Sequence, residues 1–253
     1  DVTMPTPSTD WVTVRDRIFG RIDPISTGGE AWRAQASNVT LYRQTARFVG
    51  ERVLEVAGET ITAPLIVLAA GSRCWSPASI EGLDEAWASG RVHSSDTVMR
   101  IDEAPRRLII LGGGFIAAEF AHVFSAFGSQ VTLVVRGVRL LRREDDEISR
   151  RFTEAAGRYV NLRLRHTTRR VEADAHGVRV HTVDATGAEE LIDGDLLLVA
   201  TGRRPNSDRL DAAAGGIALD EAGFVLVDAH QRTSVEGVYA LGDVCSPWML
   251  KHV

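Results

Sequence analysis

Lysine is almost absent: Lys251 stands alone among 29 basic residues, the others being arginine. With a formal net charge of -5, no basic field covers a whole face, so nucleic acid is not an expected partner. The arginine excess reads as compositional bias, apart from one cluster described below. Cysteine is scarce as well. Cys74 and Cys245 lie far apart without CxxC or zinc-finger spacing, which argues against a disulfide framework or a structural zinc site. Each follows an apolar strand, where a cysteine usually acts as a small buried hydrophobe. An intracellular, cytoplasmic setting is therefore expected. No run approaches the roughly 18 consecutive apolar residues of a membrane span, and residues 1–9 show no signal-peptide pattern; no membrane partner is expected. The seven histidines form no ligand constellation, and Glu119 with His122 is a single ExxH spacing rather than the repeated pair of a di-iron bundle, so no metal is expected.

What remains is an ordinary globular composition, 44% hydrophobic and 25% charged over 253 residues. Residues 10–21 read as a short amphipathic helix with Trp11, Val14, Ile18 and Phe19 on one side. A turn-rich stretch at 23–29 follows, then alternating runs at 39–42, 47–49, 52–56 and 59–62 that predict a small antiparallel meander. The apolar run 65–70 ends at Gly71 and predicts a strand buried on both faces. Residues 76–90, with Pro, Ser and Gly, read as a connection. From Arg107 the order becomes strand (108–111), glycine turn, helix, strand (131–135), a parallel βαβ unit. Its helix carries Ile116, Phe120, Val123, Phe124 and Phe127 at helical spacing and is capped by Gly128. Further strands are expected at 162–164, 177–183, 196–200, 224–227 and 238–241.

The chemistry-bearing motif is Gly112-Gly113-Gly114-Phe115-Ile116-Ala117, a GxGxxG/A match between an apolar strand and an amphipathic helix. Gly112 permits the tight turn, Gly114 lets a pyrophosphate approach the backbone, and Ala117 lets the helix pack closely on the strand; the helix N-terminus then offers N–H donors to phosphate. NAD-binding units usually place an acidic residue at the end of the second strand to accept hydrogen bonds from the ribose. Arg136 occupies that position here. A guanidinium suits a 2′-phosphate, and Arg139, Arg142 and Arg143 follow closely. The competing reading is a solvated surface run in which Glu144, Asp145 and Asp146 neutralise these arginines.

The segments IVLAAGSR at 66–73, GGGFIAAEF at 112–120, ATGRRPN at 200–206 and YALGDV at 239–244 resemble the two-dinucleotide flavoproteins of the glutathione reductase and dihydrolipoamide dehydrogenase family. Within that family FGRIDPI at 19–25, SDTVMRI at 95–101, FIAAEFAHVFSAFG at 115–128 and LKHV at 250–253 look most like the members that reduce mycothione. The resemblance implies FAD and NADPH as cofactors. Asp243, after Gly242, would accept hydrogen bonds from the flavin ribityl chain; capping the following helix would use the same geometry and need not exclude that role. Ala70 and Gly71 would lie beside the FAD, and Gly202 and Arg203 where the two dinucleotide domains meet. Phe115 matches the aromatic gate over the nicotinamide pocket. Glu119 matches a carboxylate near the flavin that the family pairs with a lysine of the FAD domain; on an otherwise apolar helix a partner is expected, and that usual lysine does not occur in these residues.

The implied architecture is α/β, with two Rossmann-like FAD/NAD(P)-binding domains: FAD segments at 1–95 and 205–253 flank an NADPH domain at 96–204. The first FAD fingerprint, a CxxxxC dithiol and the His and Glu of the family's C-terminal interface domain do not occur in these residues. The expectation is thus a central piece of a homodimeric NADPH-dependent disulfide reductase acting on a small-molecule disulfide, itself inactive and weak in FAD binding. The alternatives are another flavoprotein of the family, of the dihydrolipoamide dehydrogenase, mercuric reductase or NAD(P)H oxidase type, and a nucleotide-binding module without turnover.

Overall fold

The computed structural model describes residues 10–249. The LKHV ending and the first nine residues lie outside that range. Contacts group the chain into two units, each discontinuous in sequence: Asp1–Pro24 with Cys74–Gly202, and Ile25–Arg73 with Arg203–Val253.

The first unit is built on a five-stranded parallel sheet in the order Val92–His93, Leu196–Val199, Arg107–Leu111, Gln130–Val135, Asn161–Leu164. The continuous apolar runs follow from burial on both faces. Side chains alternate along a strand, so Leu108, Ile110, Leu133 and Leu198 enter one core with Phe124 and Trp11. Ile109, Leu111, Val134, Leu197 and Val199 enter another with Val171, Val178, Val180 and Ile192. Each such side chain contributes about 1.5–3 kcal/mol by leaving water. The second core is closed by an antiparallel sheet of Thr167–Asp174, Gly177–Val183 and Glu189–Gly194. Sequence patterning located only the middle one of these three strands, because the outer two carry few apolar residues.

The helix Phe115–Ala126 buries Ala117, Ala118, Ala121 and Phe124. The small residues let its backbone approach the sheet, whereas Val123, expected on the apolar stripe, is 37% exposed. Gly128 ends it as expected. At φ 91° its N–H donates to Ser125 O at 3.0 Å and Ser129 N–H donates to Phe124 O at 2.9 Å, the paired bonds of a Schellman motif.

The first helix runs Trp11–Gln35, through the stretch 23–29 that composition assigned to a turn. Pro24 has no N–H to donate to Gly20 O, so one helical hydrogen bond is missing there. One helical turn is tied down by Arg100, whose guanidinium pairs with Asp23 at 2.8 Å and lies 3.8 Å over the Phe19 ring. Trp11 alone of the helix is buried, stacked on Phe124 and donating to Ile101 O at 2.9 Å. A short helix, Leu83–Trp87, interrupts the segment read as a plain connection.

The second unit contains the expected meander as Arg47–Gly50, Val53–Val56 and Glu59–Thr62. Residues 39–42 are irregular rather than a strand. Ile66–Leu68 pairs in parallel with Val238–Ala240. Burial on both faces is not met there: Leu68 is buried, but Leu65 and Val67 are 67% and 58% exposed. The strand expected at 224–227 is reduced to an isolated bridge, Leu219 to Val225; Val225 N–H donates instead to Val244 O.

Candidate dinucleotide-binding site

In the first unit, the strand Arg107–Leu111 ends in the glycine turn. Gly112 has φ 126°, and a Cβ there would stand 2.2 Å from Ala200 O, so conformation and space both demand glycine. Gly113 is equally confined, with Val135 Cγ1 2.7 Å from where its Cβ would be. Gly114 differs. Its φ of -84° is ordinary, and nothing lies within 4 Å of the Cβ position. The protein itself does not require glycine at 114, and the open space beside the helix N-terminus fits an approaching pyrophosphate. No side chain caps that terminus, so its first N–H groups remain available to a ligand. Ala117 is fully buried against the sheet.

The arginine loop follows the strand Gln130–Val135. Its centre is Leu140, fully buried, whose N–H donates to Thr153 Oγ1 at 3.0 Å and whose carbonyl accepts from Ser149 Oγ at 2.6 Å. Both hydroxyls come from the helix Asp146–Ala156, which Asp145 caps by accepting from Glu147 N and Ile148 N. Leu141 N–H donates to Gly113 O at 2.7 Å, tying the loop to the glycine turn. Asp145 is thus occupied as the cap, Asp146 pairs with Arg139 at 2.7 Å and Glu147 with Arg150 and Arg151, while Glu144 makes no ion pair among the described residues. Arg136 and Arg142 are exposed, and among the described residues neither makes an ion pair. The Arg142 stem lies over Gly137, its Cδ 2.7 Å from where a Cβ would stand. Two guanidinium groups therefore flank the end of the second strand without an anion.

Phe115 opens the same helix, half-buried. Glu119 is exposed. The partner expected for it is not found among the described residues, and an exposed carboxylate does not need one.

In the second unit Asp243 lies inside the short helical turn Gly242–Val244, half-buried, with Gly242 at φ 73°. Leu241 stands at the N-cap position of this turn without a side-chain cap bond, and Asp243 lies within the turn rather than ahead of it. Asp243 Oδ2 accepts from Ser72 Oγ at 2.7 Å, and that hydroxyl accepts in turn from Arg203 Nε at 2.7 Å. Asn206 donates to Ala70 O at 2.8 Å, and its backbone N–H donates to Gly71 O. Arg73 forms a two-pronged pair with Asp208 at 2.6 and 2.8 Å, and its hydrogen bonds hold the Asp208 pKa down to about 2. Arg203 and Asp243 thus meet at Ser72, and the carbonyls of the preceding Ala70 and Gly71 are both held by Asn206. Gly202, at φ 141°, belongs to the other unit, where its carbonyl accepts from Trp75 N–H. Sequence reading missed Ser72, Asn206, Ser149 and Thr153. Ser72 and Asn206 stood inside quoted motifs, but nothing in the spacing announced their partners.

The family model for pyridine nucleotide-disulphide oxidoreductases matches residues 6–253. The chain belongs to this family. The members use FAD with NAD(P)H. This pyridine nucleotide-disulphide oxidoreductase is 48% identical over 251 residues to mycothione reductase of Mycobacterium tuberculosis, covering 96% of this chain and 52% of that protein. It is 36% identical over 233 residues to dihydrolipoyl dehydrogenase of Thermus scotoductus, covering 89% and 48%. Among solved structures, an HOCl-induced flavoprotein disulfide reductase from Escherichia coli superposes with a TM-score of 0.81 at 27% identity, covering 96% of this chain and 55% of that one. The chain spans about half the length of the curated relatives it matches. Among the described residues, no helix is long and apolar enough to cross a membrane.

Proposed function

We propose that the whole protein is an NADPH-dependent, FAD-containing disulfide reductase acting on mycothione, a low-molecular-weight disulfide. The unit holding Gly112, Gly114 and Ala117 binds NADPH, and the unit holding Ala70, Gly71 and Asp243 contributes to FAD binding. The observation that carries the cofactor choice is the pair Arg136 and Arg142, left without carboxylate partners where NAD-specific units have an acid. The substrate rests on the 48% identity to mycothione reductase.

When bound, the flavin supplies a relay for two electrons between the nicotinamide and a dithiol. The chain's own residues bind and orient. Gly112 and Gly114 set how closely a pyrophosphate approaches the helix N-terminus. Phe115 would cover the nicotinamide and Glu119 would be the family's carboxylate near the flavin, both roles resting on the motif GGGFIAAEF, and Asp243 would hold the ribityl hydroxyls with the oxygen that Ser72 leaves free. Residues 1–253 contain no CxxxxC pair, so a polypeptide of this span alone binds pyridine nucleotide without reducing a disulfide. We also propose a cytoplasmic homodimer for the whole protein.

The test is steady-state reduction of mycothione by the full-length protein with NADPH and with NADH, beside lipoamide and mercuric ion as acceptors. A strong preference for NADPH and mycothione is expected. Preference for lipoamide would favour the second reading, a dihydrolipoyl dehydrogenase, for which the 36% identity to the Thermus protein speaks.

A further inference from the structure

Arg165 was not singled out by any motif. It follows the strand Asn161–Leu164, whose Leu164 is paired with Val135 at the end of the neighbouring strand. The chain turns there in the left-handed region, φ 59°, a conformation uncommon for a residue with a β-carbon. That turn lets Arg165 N–H donate to Gly137 O at 2.9 Å. Gly137 is the residue over which the Arg142 stem lies, and it adjoins Arg136. Three arginines are thus organised around one glycine at the carboxyl edge of the sheet.

Their lack of carboxylate partners among the described residues sets them apart from nearby arginines. Arg139 is paired with Asp146, Arg150 with Glu147 and Glu154, Arg151 with Glu147, and Arg163 with Glu190. Arg136, Arg142 and Arg165 are exposed and have no such partner among the described residues. Gathering three like charges opposes folding unless an anion offsets it. A 2′-phosphate carries about two negative charges and three acceptor oxygens with several lone pairs each, so it can accept hydrogen bonds from more than two guanidinium groups at once.

We propose that Arg165 is a third ligand of the NADPH 2′-phosphate, so that the phosphate is gripped from the ends of two adjacent strands. This rests on the NADPH reading above. Arg143 supplies an internal control: it is exposed and without a partner among the described residues, but it has no tie to Gly137.

The experiment titrates the full chain with NADPH, NADH, adenosine 2′,5′-bisphosphate and 5′-AMP, for the unmodified protein and for Arg165→Asn, Arg143→Asn and Arg136→Ala. Asparagine tolerates the left-handed turn, so Arg165→Asn removes the charge while keeping the backbone. About tenfold weaker binding of NADPH and of the bisphosphate is expected for Arg165→Asn, with NADH and 5′-AMP unchanged and Arg143→Asn close to the unmodified protein. Equal effects of Arg165→Asn and Arg143→Asn, or equal loss of NADPH and NADH, would overturn the assignment while Arg136→Ala still upholds the NADPH reading. Equal binding of NADPH and NADH by the unmodified protein would remove the reading itself.

Discussion

Ser72 Oγ lies 2.7 Å from Asp243 Oδ2, although 171 residues separate them in the chain. The same hydroxyl accepts from Arg203 Nε, which orients its proton toward the carboxylate. One oxygen of Asp243 is thereby committed, and Oδ1 has no partner among the described residues. In the full-length protein Asp243→Ala should lower flavin affinity at least tenfold, since a hydrogen bond to a charged group contributes roughly 1.5–3 kcal/mol. Ser72→Ala should lower it less. Flavin content per chain after gel filtration, with NADPH affinity measured alongside, checks both; unchanged flavin content in Asp243→Ala would return that residue to a purely structural role.

Gly112→Ala and Gly114→Ala should behave oppositely. The first places a methyl against Ala200 O at a positive φ and should cost roughly 2–4 kcal/mol of stability, within the range of severe backbone substitutions. The second meets nothing in the protein, so its melting temperature should hardly move, while NADPH and NADH binding both fall tenfold or more. Thermal melts beside nucleotide titrations separate the two; a Gly114→Ala protein that binds normally would refute the close phosphate approach.

Arg136→Glu should reverse cofactor preference. Losing one charged hydrogen bond removes roughly 1.5–3 kcal/mol, and the new carboxylate repels the phosphate. NADPH binding should weaken on the order of a hundredfold, at 1.4 kcal/mol per tenfold, while NADH binding improves. Isothermal titration with both nucleotides gives the answer, and parallel changes in the two would count against it.

Thr153→Val removes the acceptor of the buried Leu140 N–H. An unsatisfied buried donor costs roughly 1–3 kcal/mol. Because Leu140 anchors the loop between Arg136 and Arg142, NADPH affinity should fall more than NADH affinity. Thr153→Ser, which keeps the oxygen, should recover most of it.

Asp208 has a folded-state pKa of about 2, below its ordinary value because of the Arg73 hydrogen bonds. A depressed carboxyl pKa contributes stability that is complete above the ordinary value and lost as pH falls toward 2. Asp208→Asn should therefore destabilise at neutral pH by about 1 kcal/mol or less, given the partial exposure of the pair, and the difference from the unmodified protein should vanish near pH 2. Urea unfolding at several pH values tests the sign; a gap that widens on acidification would contradict it.

The Rossmann βαβ was legible because its signals are local. The buried strands are continuous apolar runs, the turn is glycine, and Gly128 closes the helix. Less legible were elements whose stability comes from distant partners. The strands Thr167–Asp174 and Glu189–Gly194 alternate weakly and gain definition from covering Ile109 and Val199. The helix beyond Arg21 runs through a proline and two glycines that composition assigned to a turn.

By itself the sequence determined the α/β class, the glycine turn at 112–114 between strand and helix, and the presence of arginine where an acid would select NAD. It could not decide which of the clustered charges neutralise one another. That depends on side-chain distances across chain separations that carry no local signal. Only the tertiary structure assigned Asp146 to Arg139 and Asp145 to a helix cap, leaving Arg136 and Arg142 without partners. Only it brought Ser72 to Asp243 and Arg165 to Gly137, because hydrogen bonds act over about 3 Å in space regardless of how far apart their residues lie along the chain.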